Sequence, residues 1–103
     1  MNYEANANAG SFDMANITSG TFTSDGTALT VNLGFRPRAV TLYNADAAAK
    51  YETTDTMAGA AVQTVTGGTQ TVEADLITIT DRGFTVAASI MTDTEDYHFL
   101  AMR

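Results

Sequence analysis

The sequence predicts an all-β fold, a small antiparallel β-sandwich or jelly-roll-like domain of seven or eight strands, on three observations. Apolar residues recur at every second position in several short runs, as at Leu29, Val31 and Leu33, the period of a strand with one buried face. Asp-Gly, Gly-Gly and Asp-Arg-Gly clusters interrupt these runs at the roughly 8–12-residue spacing of a sandwich. Threonine is abundant, and its β-branched side chain suits a pleated, half-wet surface.

Residues 1–10, rich in Asn and Ala without any period, read as an extended amino-terminal arm, and residues 11–103 as one sandwich domain. Phe12, Met14 and Ile17 are the apolar positions of a first strand or pair of strands. Thr21-Phe22-Thr23 then meets Ser24-Asp25-Gly26, where Asp-Gly supplies the positive φ of a tight reversal, so a hairpin into the Leu29–Leu33 strand is expected. Gly34-Phe35-Arg36-Pro37-Arg38 ends that strand, because proline lacks a ladder donor and restricts the residue before it. The next strand places Val40 and Leu42 inward with Thr41 and Tyr43 outward. The stretch from Asp46 to Met57 holds helix formers in too short a run for a stable helix and reads as loop plus a short strand.

The second half predicts two hairpins and a last strand. Ala61 to Val65 and Thr69 to Val72 flank Thr66-Gly67-Gly68, with Val62 and Val65 as apolar contacts. Leu76 to Thr80 and Phe84 to Ile90 flank Asp81-Arg82-Gly83, where Gly83 is expected as the left-handed residue of a short loop. Thr92 to Asp96 is an acidic loop, and Tyr97 to Met102 a final strand, central in its sheet because both faces tolerate apolar neighbours.

A chain of 103 residues suffices for one core. Without cysteine it has no disulfide framework and no thiolate metal site. The amino-terminal residues lack the basic start and apolar run of a secretory signal, and no stretch reaches the ~20 apolar residues of a membrane span, so a protein made in the cytosol with no membrane partner is expected. The net charge of −7, with Lys50, Arg36, Arg38, Arg82 and Arg103 as the only lysine and arginines, repels nucleic-acid phosphates.

The residues of catalysis are scarce. The single histidine, His98, lies among apolar residues of a strand and reads as a partly buried side chain with one satisfied nitrogen. Gly67-Gly68 lacks the Lys-Ser/Thr and helix of a phosphate loop. Glu73-Ala74-Asp75 and Asp93-Thr94-Glu95-Asp96 lack calcium-loop spacing and read as solvated turns. No enzyme activity, cofactor or metal is expected. What remains is contact chemistry. Tyr43 and Tyr51 offer large area at low entropy cost, and Arg36 and Arg38, in a rigid corner of an acidic protein, suit charge-assisted bonds to a partner's carboxylate. Tyr3 and Phe12 of the amino-terminal region complete the expected protein interface.

From Leu33-Gly34-Phe35-Arg36-Pro37-Arg38-Ala39-Val40-Thr41-Leu42-Tyr43-Asn44, through Thr64-Val65-Thr66-Gly67-Gly68-Thr69-Gln70-Thr71 and Asp81-Arg82-Gly83-Phe84-Thr85-Val86, to Tyr97-His98-Phe99-Leu100-Ala101, the chain resembles small virion proteins of tailed bacteriophages. The likeness spans most of residues 28–101. It implies a non-enzymatic β-sandwich on the virion surface, a capsid decoration or cement protein that partners the major capsid protein and copies of itself as a dimer or trimer, with the arm lying along a neighbour. Similar sequences carry tryptophan after the segment that here reads Lys50-Tyr51-Glu52, and this chain has none. The alternative is a carbohydrate-binding module of a tail appendage, since the Phe-x-Pro-x-x-Val entry at Phe35 to Val40 also resembles the H-type lectin pattern.

Overall fold

A computed structural model of the protein describes residues 2–4 and 17–103. They form a β-sandwich of two sheets. The strands are β1 (Asn2–Glu4), β2 (Ile17–Thr23), β3 (Leu29–Asn32), β4 (Ala39–Asn44), β5 (Ala49–Thr54), β6 (Ala61–Thr64), β7 (Gln70–Glu73), β8 (Ile77–Thr80), β9 (Gly83–Val86) and β10 (Asp96–Met102). Among the described residues the only helical turn is the three-residue 3-10 segment Ala88–Ile90. The order is β1-β3-β9-β8 in the smaller sheet and β2-β10-β4-β5-β6-β7 in the larger. All pairs are antiparallel except β1 with β3 of its own chain. The expected strand positions Phe12 and Met14 lie outside the described residues.

Side-chain alternation builds the core. Leu29 and Val31 of β3, Phe84 and Val86 of β9 and Ile77 of β8 face Val40 and Leu42 of β4 and Tyr97, Phe99 and Ala101 of β10, all of them buried. Phe84 and Phe99 meet across the layers edge to face at 5.5 Å, the favoured geometry for two aromatic quadrupoles. Strand β10 lies between β2 and β4, the interior position expected of it.

One buried phenol ties this framework together. The Tyr97 hydroxyl donates to the Ile90 carbonyl at 2.7 Å and accepts from the Thr92 N–H at 2.9 Å and from Asn44 Nδ2 at 3.1 Å. Asn44 in turn donates to Glu95 Oε1, while its own Oδ1 accepts from the Asp46 and Ala47 N–H groups and closes the turn after β4. A tyrosine can be buried deeply only when its hydroxyl is satisfied, and here the same bonds fasten the end of β4 to the segment that leads from β9 into β10. Phe22 of β2 stacks on the Tyr97 ring at 5.5 Å.

Several local expectations change in tertiary context. Ser24-Asp25-Gly26 does form a turn, with Asp25 accepting from the Thr27 hydroxyl and N–H and Gly26 at φ +82°, but it closes no hairpin. Strand β2 pairs along its whole length with β10, and β3 pairs with β9, so the turn carries the chain from one sheet to the other. The strand expected up to Ile90 ends at Val86 and gives way to the 3-10 segment whose Ile90 carbonyl receives the Tyr97 hydroxyl. Val65 is exposed rather than packed, because hairpin β6–β7 projects beyond the cover of the smaller sheet and every residue of β7 is exposed. Gly83 is not left-handed. It is an ordinary strand residue opposite Asn32, and a Cβ there would drive into the Val31 carbonyl oxygen.

Close backbone approach, not turn geometry, therefore demands glycine at position 83. Gly83→Ala is expected to lower stability by about 2–3 kcal/mol in urea denaturation through overpacking. Gly67→Ala, at φ +97° with nothing within 4 Å of its Cβ, should cost only about 1–2 kcal/mol of left-handed strain.

Candidate interaction surface

The inner face of the larger sheet is covered by the smaller one, but its outer face carries no further layer among the described residues, so the outward positions of six strands stand open. Register sets their order. Thr21, His98, Tyr43, Lys50 and Thr64 follow one another across β2, β10, β4, β5 and β6. Farther along the strands, Ile17, Met102 and Ala39 are neighbours, and Glu52, Val62 and Val72 are neighbours.

The second part of this face carries several exposed apolar side chains. Ile17 is 55% exposed, Val72 66% and Met102 39%. Beside Met102 lies an open groove of about 390 Å³ lined by Ala39, Met57, Val62 and Met102 together with the polar Thr41, Glu52, Thr53 and Thr54. Isolated exposed apolar residues are normal, whereas a contiguous band around a groove marks a contact surface. Glu52 is the charge within it, bridged to Lys50 at 3.6 Å. Such a pair, exposed on both sides, contributes little to stability, and its place beside the groove gives a partner a polar handle at the edge of an apolar seat.

The residues expected to form the interface do not gather at one place. Tyr43 lies on the outer face, 41% exposed, between His98 and Lys50. Arg36 and Arg38 lie at the other end of β4, on its connection from β3, and five residues separate Tyr43 from Arg38, about 17 Å along an antiparallel strand. Pro37 between the arginines is fully buried, so the rigid corner is an anchored one. The Arg38 N–H donates to the Met102 carbonyl, and its own carbonyl accepts from the Asp55 N–H. Arg36 reaches Asp81 at 3.4 Å. Tyr3 belongs to β1, and Phe12 lies outside the described residues. The residues that sequence reasoning missed are Ile17, Met57, Val62, Val72 and Met102. Val62, expected as an apolar contact of its hairpin, stands beside Glu52 and Val72 on the outer face instead, and only the strand order brings these residues side by side.

Two expectations about polar residues are corrected. His98 is exposed, not partly buried, because it falls on the outward phase of β10. Tyr51, expected to offer contact area to a partner, is buried, since β5 turns Ala49, Tyr51 and Thr53 inward. Among the described residues no group of three or more histidine or acidic side chains gathers so as to hold a metal ion, and no helix is long and apolar enough to cross a membrane. Compared with known proteins, the chain matches no family model, and neither a curated protein nor a solved structure shows significant similarity to it.

Burial pushes the Tyr51 phenol above its ordinary pKa of 10.0, and Tyr97 and Glu95 add to the effect. Because the folded form holds this proton more tightly than the unfolded form, the contribution is complete below about pH 10 and is lost as pH rises through the folded value. Stability followed by denaturant titration between about pH 9 and 11 should therefore fall with pH in the native protein, and Tyr51→Phe should flatten that slope.

Proposed function

We propose that the chain is a non-catalytic adhesive sandwich that binds a protein surface through the outer face of its larger sheet, and that the surface is the head of a tailed bacteriophage, where the chain acts as a decoration or cement protein. The observation that carries the binding reading is the set of outward apolar residues Ile17, Met102, Val62 and Val72 around an open groove whose floor also holds Thr41, Glu52 and Thr54. At its β10 end the band sits on a strand held between two neighbours, so docking there orders few groups. The phage assignment rests on the resemblance of residues 28–101 to small virion proteins. The acidic charge of −7 suits a soluble outward surface, and the major capsid protein and copies of the chain itself are the partners in this reading.

Co-sedimentation of the purified chain with capsids stripped of decoration tests both parts, with a glycan array run on the same sample. Saturable, stoichiometric binding is expected, and Val72→Glu with Met102→Glu, both exposed, should weaken it at least tenfold while leaving thermal stability nearly unchanged, since exposed substitutions cost about 0.5 kcal/mol or less. Full binding by the double variant would move the contact off this face. Absence of capsid binding with array hits would replace the decoration reading by the carbohydrate-binding one.

A further inference from the structure

Strand β7 ends the larger sheet, and one side of its backbone meets no other strand among the described residues. The ladder shows which groups stay open. The Val65 N–H donates to the Thr69 carbonyl, so these two form a hydrogen-bonding pair, and such pairs recur at every second position of an antiparallel ladder. With Gln63 opposite Thr71 and Ala61 opposite Glu73, the backbone groups of Thr71 and Glu73 point into β6. Those of Gln70 and Val72 point out of the sheet, each residue offering an N–H and a carbonyl.

No lysine, proline or bulge interrupts Gln70–Glu73, although these are the common devices that protect an exposed edge. All residues of the strand are exposed, and the hairpin projects beyond the smaller sheet, so another strand can approach along it. Other margins differ. At β8 the Ile77 N–H is already taken by the Gly59 carbonyl. Strand β2 carries Gly20 near its middle, where glycine weakens a strand.

We propose that β7 pairs antiparallel with β7 of a second copy of the chain about a two-fold axis at Thr71, joining the two larger sheets into one. The strand is its own complement in this register. Gln70 of each copy lies opposite Val72 of the other, so every outward N–H of these residues meets an outward carbonyl. Thr71 faces Thr71 of the second copy in a pair without backbone bonds, where side chains stand closest and threonine hydroxyls bond one another. Glu73 lies opposite Thr69 of the other copy. The Glu73 carboxylates of the two copies are therefore about 14 Å apart along the strands, beyond a Debye length of about 8 Å, so the acidic chain sets no like charges opposite each other at the seam. The contact is isologous and closes at two copies. It deepens the proposed self-association of the chain and rests on that part of the reading alone, since Thr71 points to the opposite side of the strand from Val72 and so away from the face offered to the capsid.

Cysteine cross-linking and sedimentation velocity of the full chain test the pairing. The chain has no cysteine of its own, so each introduced thiol reports one position. In the proposed register the two Cα atoms at position 71 lie about 4.5 Å apart, within disulfide reach, and Thr71→Cys should cross-link under mild oxidation about tenfold faster than Gln70→Cys or Val72→Cys, whose thiols are offset along the strands. The native chain should sediment as a monomer–dimer equilibrium. Gln70→Pro removes an outward N–H and no bond of the β6 ladder, so it should shift that equilibrium to monomer with a near-native melting temperature, whereas Met102→Glu, on β10, should leave it unchanged. A native chain that stays monomeric at every concentration overturns the proposal. Equal cross-linking at the three positions, or a Gln70→Pro chain that dimerises as the native one does, overturns it too. Dimerisation without capsid binding leaves this pairing standing and removes the capsid reading, and capsid binding by a monomer does the reverse.

Discussion

The bonds of the Tyr97 hydroxyl are the constraint on which the rest of the molecule depends. A sandwich in which the chain repeatedly changes sheets needs something to hold its crossings, and the crossing from β9 to β10 contains only a single 3-10 turn. The phenol receives two N–H donors and gives its proton to a third group, and the bonds to Asn44 and Ile90 are buried, where an unmade bond would cost about 1–3 kcal/mol. Through Asn44 the same network reaches Glu95 and the turn after β4. The central strand, the neighbouring strand and the acidic loop are thereby set in one mutual position.

That position also sets the outer face of the larger sheet. With β10 fixed between β2 and β4, its outward Met102 falls beside Ile17 and Ala39, and the apolar band follows. Among the described residues the interior carries no buried charge, since the buried polar side chains Ser24, Asn44 and Thr53 are neutral and each takes part in a hydrogen bond.

How much of this was legible in the sequence differs by scale. Period-two alternation located the inward residues of β3 and β4, and the glycine pair located the β6–β7 reversal, because both signals are local. Pairing partners were not local. Asp25-Gly26 has the chemistry of a hairpin turn, yet β2 gains more by lying along seven residues of β10 and stacking Phe22 on Tyr97 than by folding back on the shorter β3. Gly83 carried the right identity for a different reason, since crowding by Val31 from a neighbouring strand cannot be read from adjacent residues. The interface suffered most. Tyr43, Arg36 and Arg38 were visible as exposed residue types, while the band of Ile17, Val62, Val72 and Met102 exists only once strands far apart in sequence become neighbours.

Hairpin β6–β7 extends past the smaller sheet, and β7 has water on both faces. A ribbon held by one ladder and little packing opens at a lower free energy than the strands around Tyr97, so the larger sheet is stiff at its centre and compliant along one margin. The apolar band runs from the stiff part to the compliant one, because Val62 and Val72 belong to that ribbon. A partner seated on the band would dock on a fixed platform at Met102 and quiet a moving flap at Val72, so the entropy lost in binding would be concentrated in eight residues at one edge of the molecule.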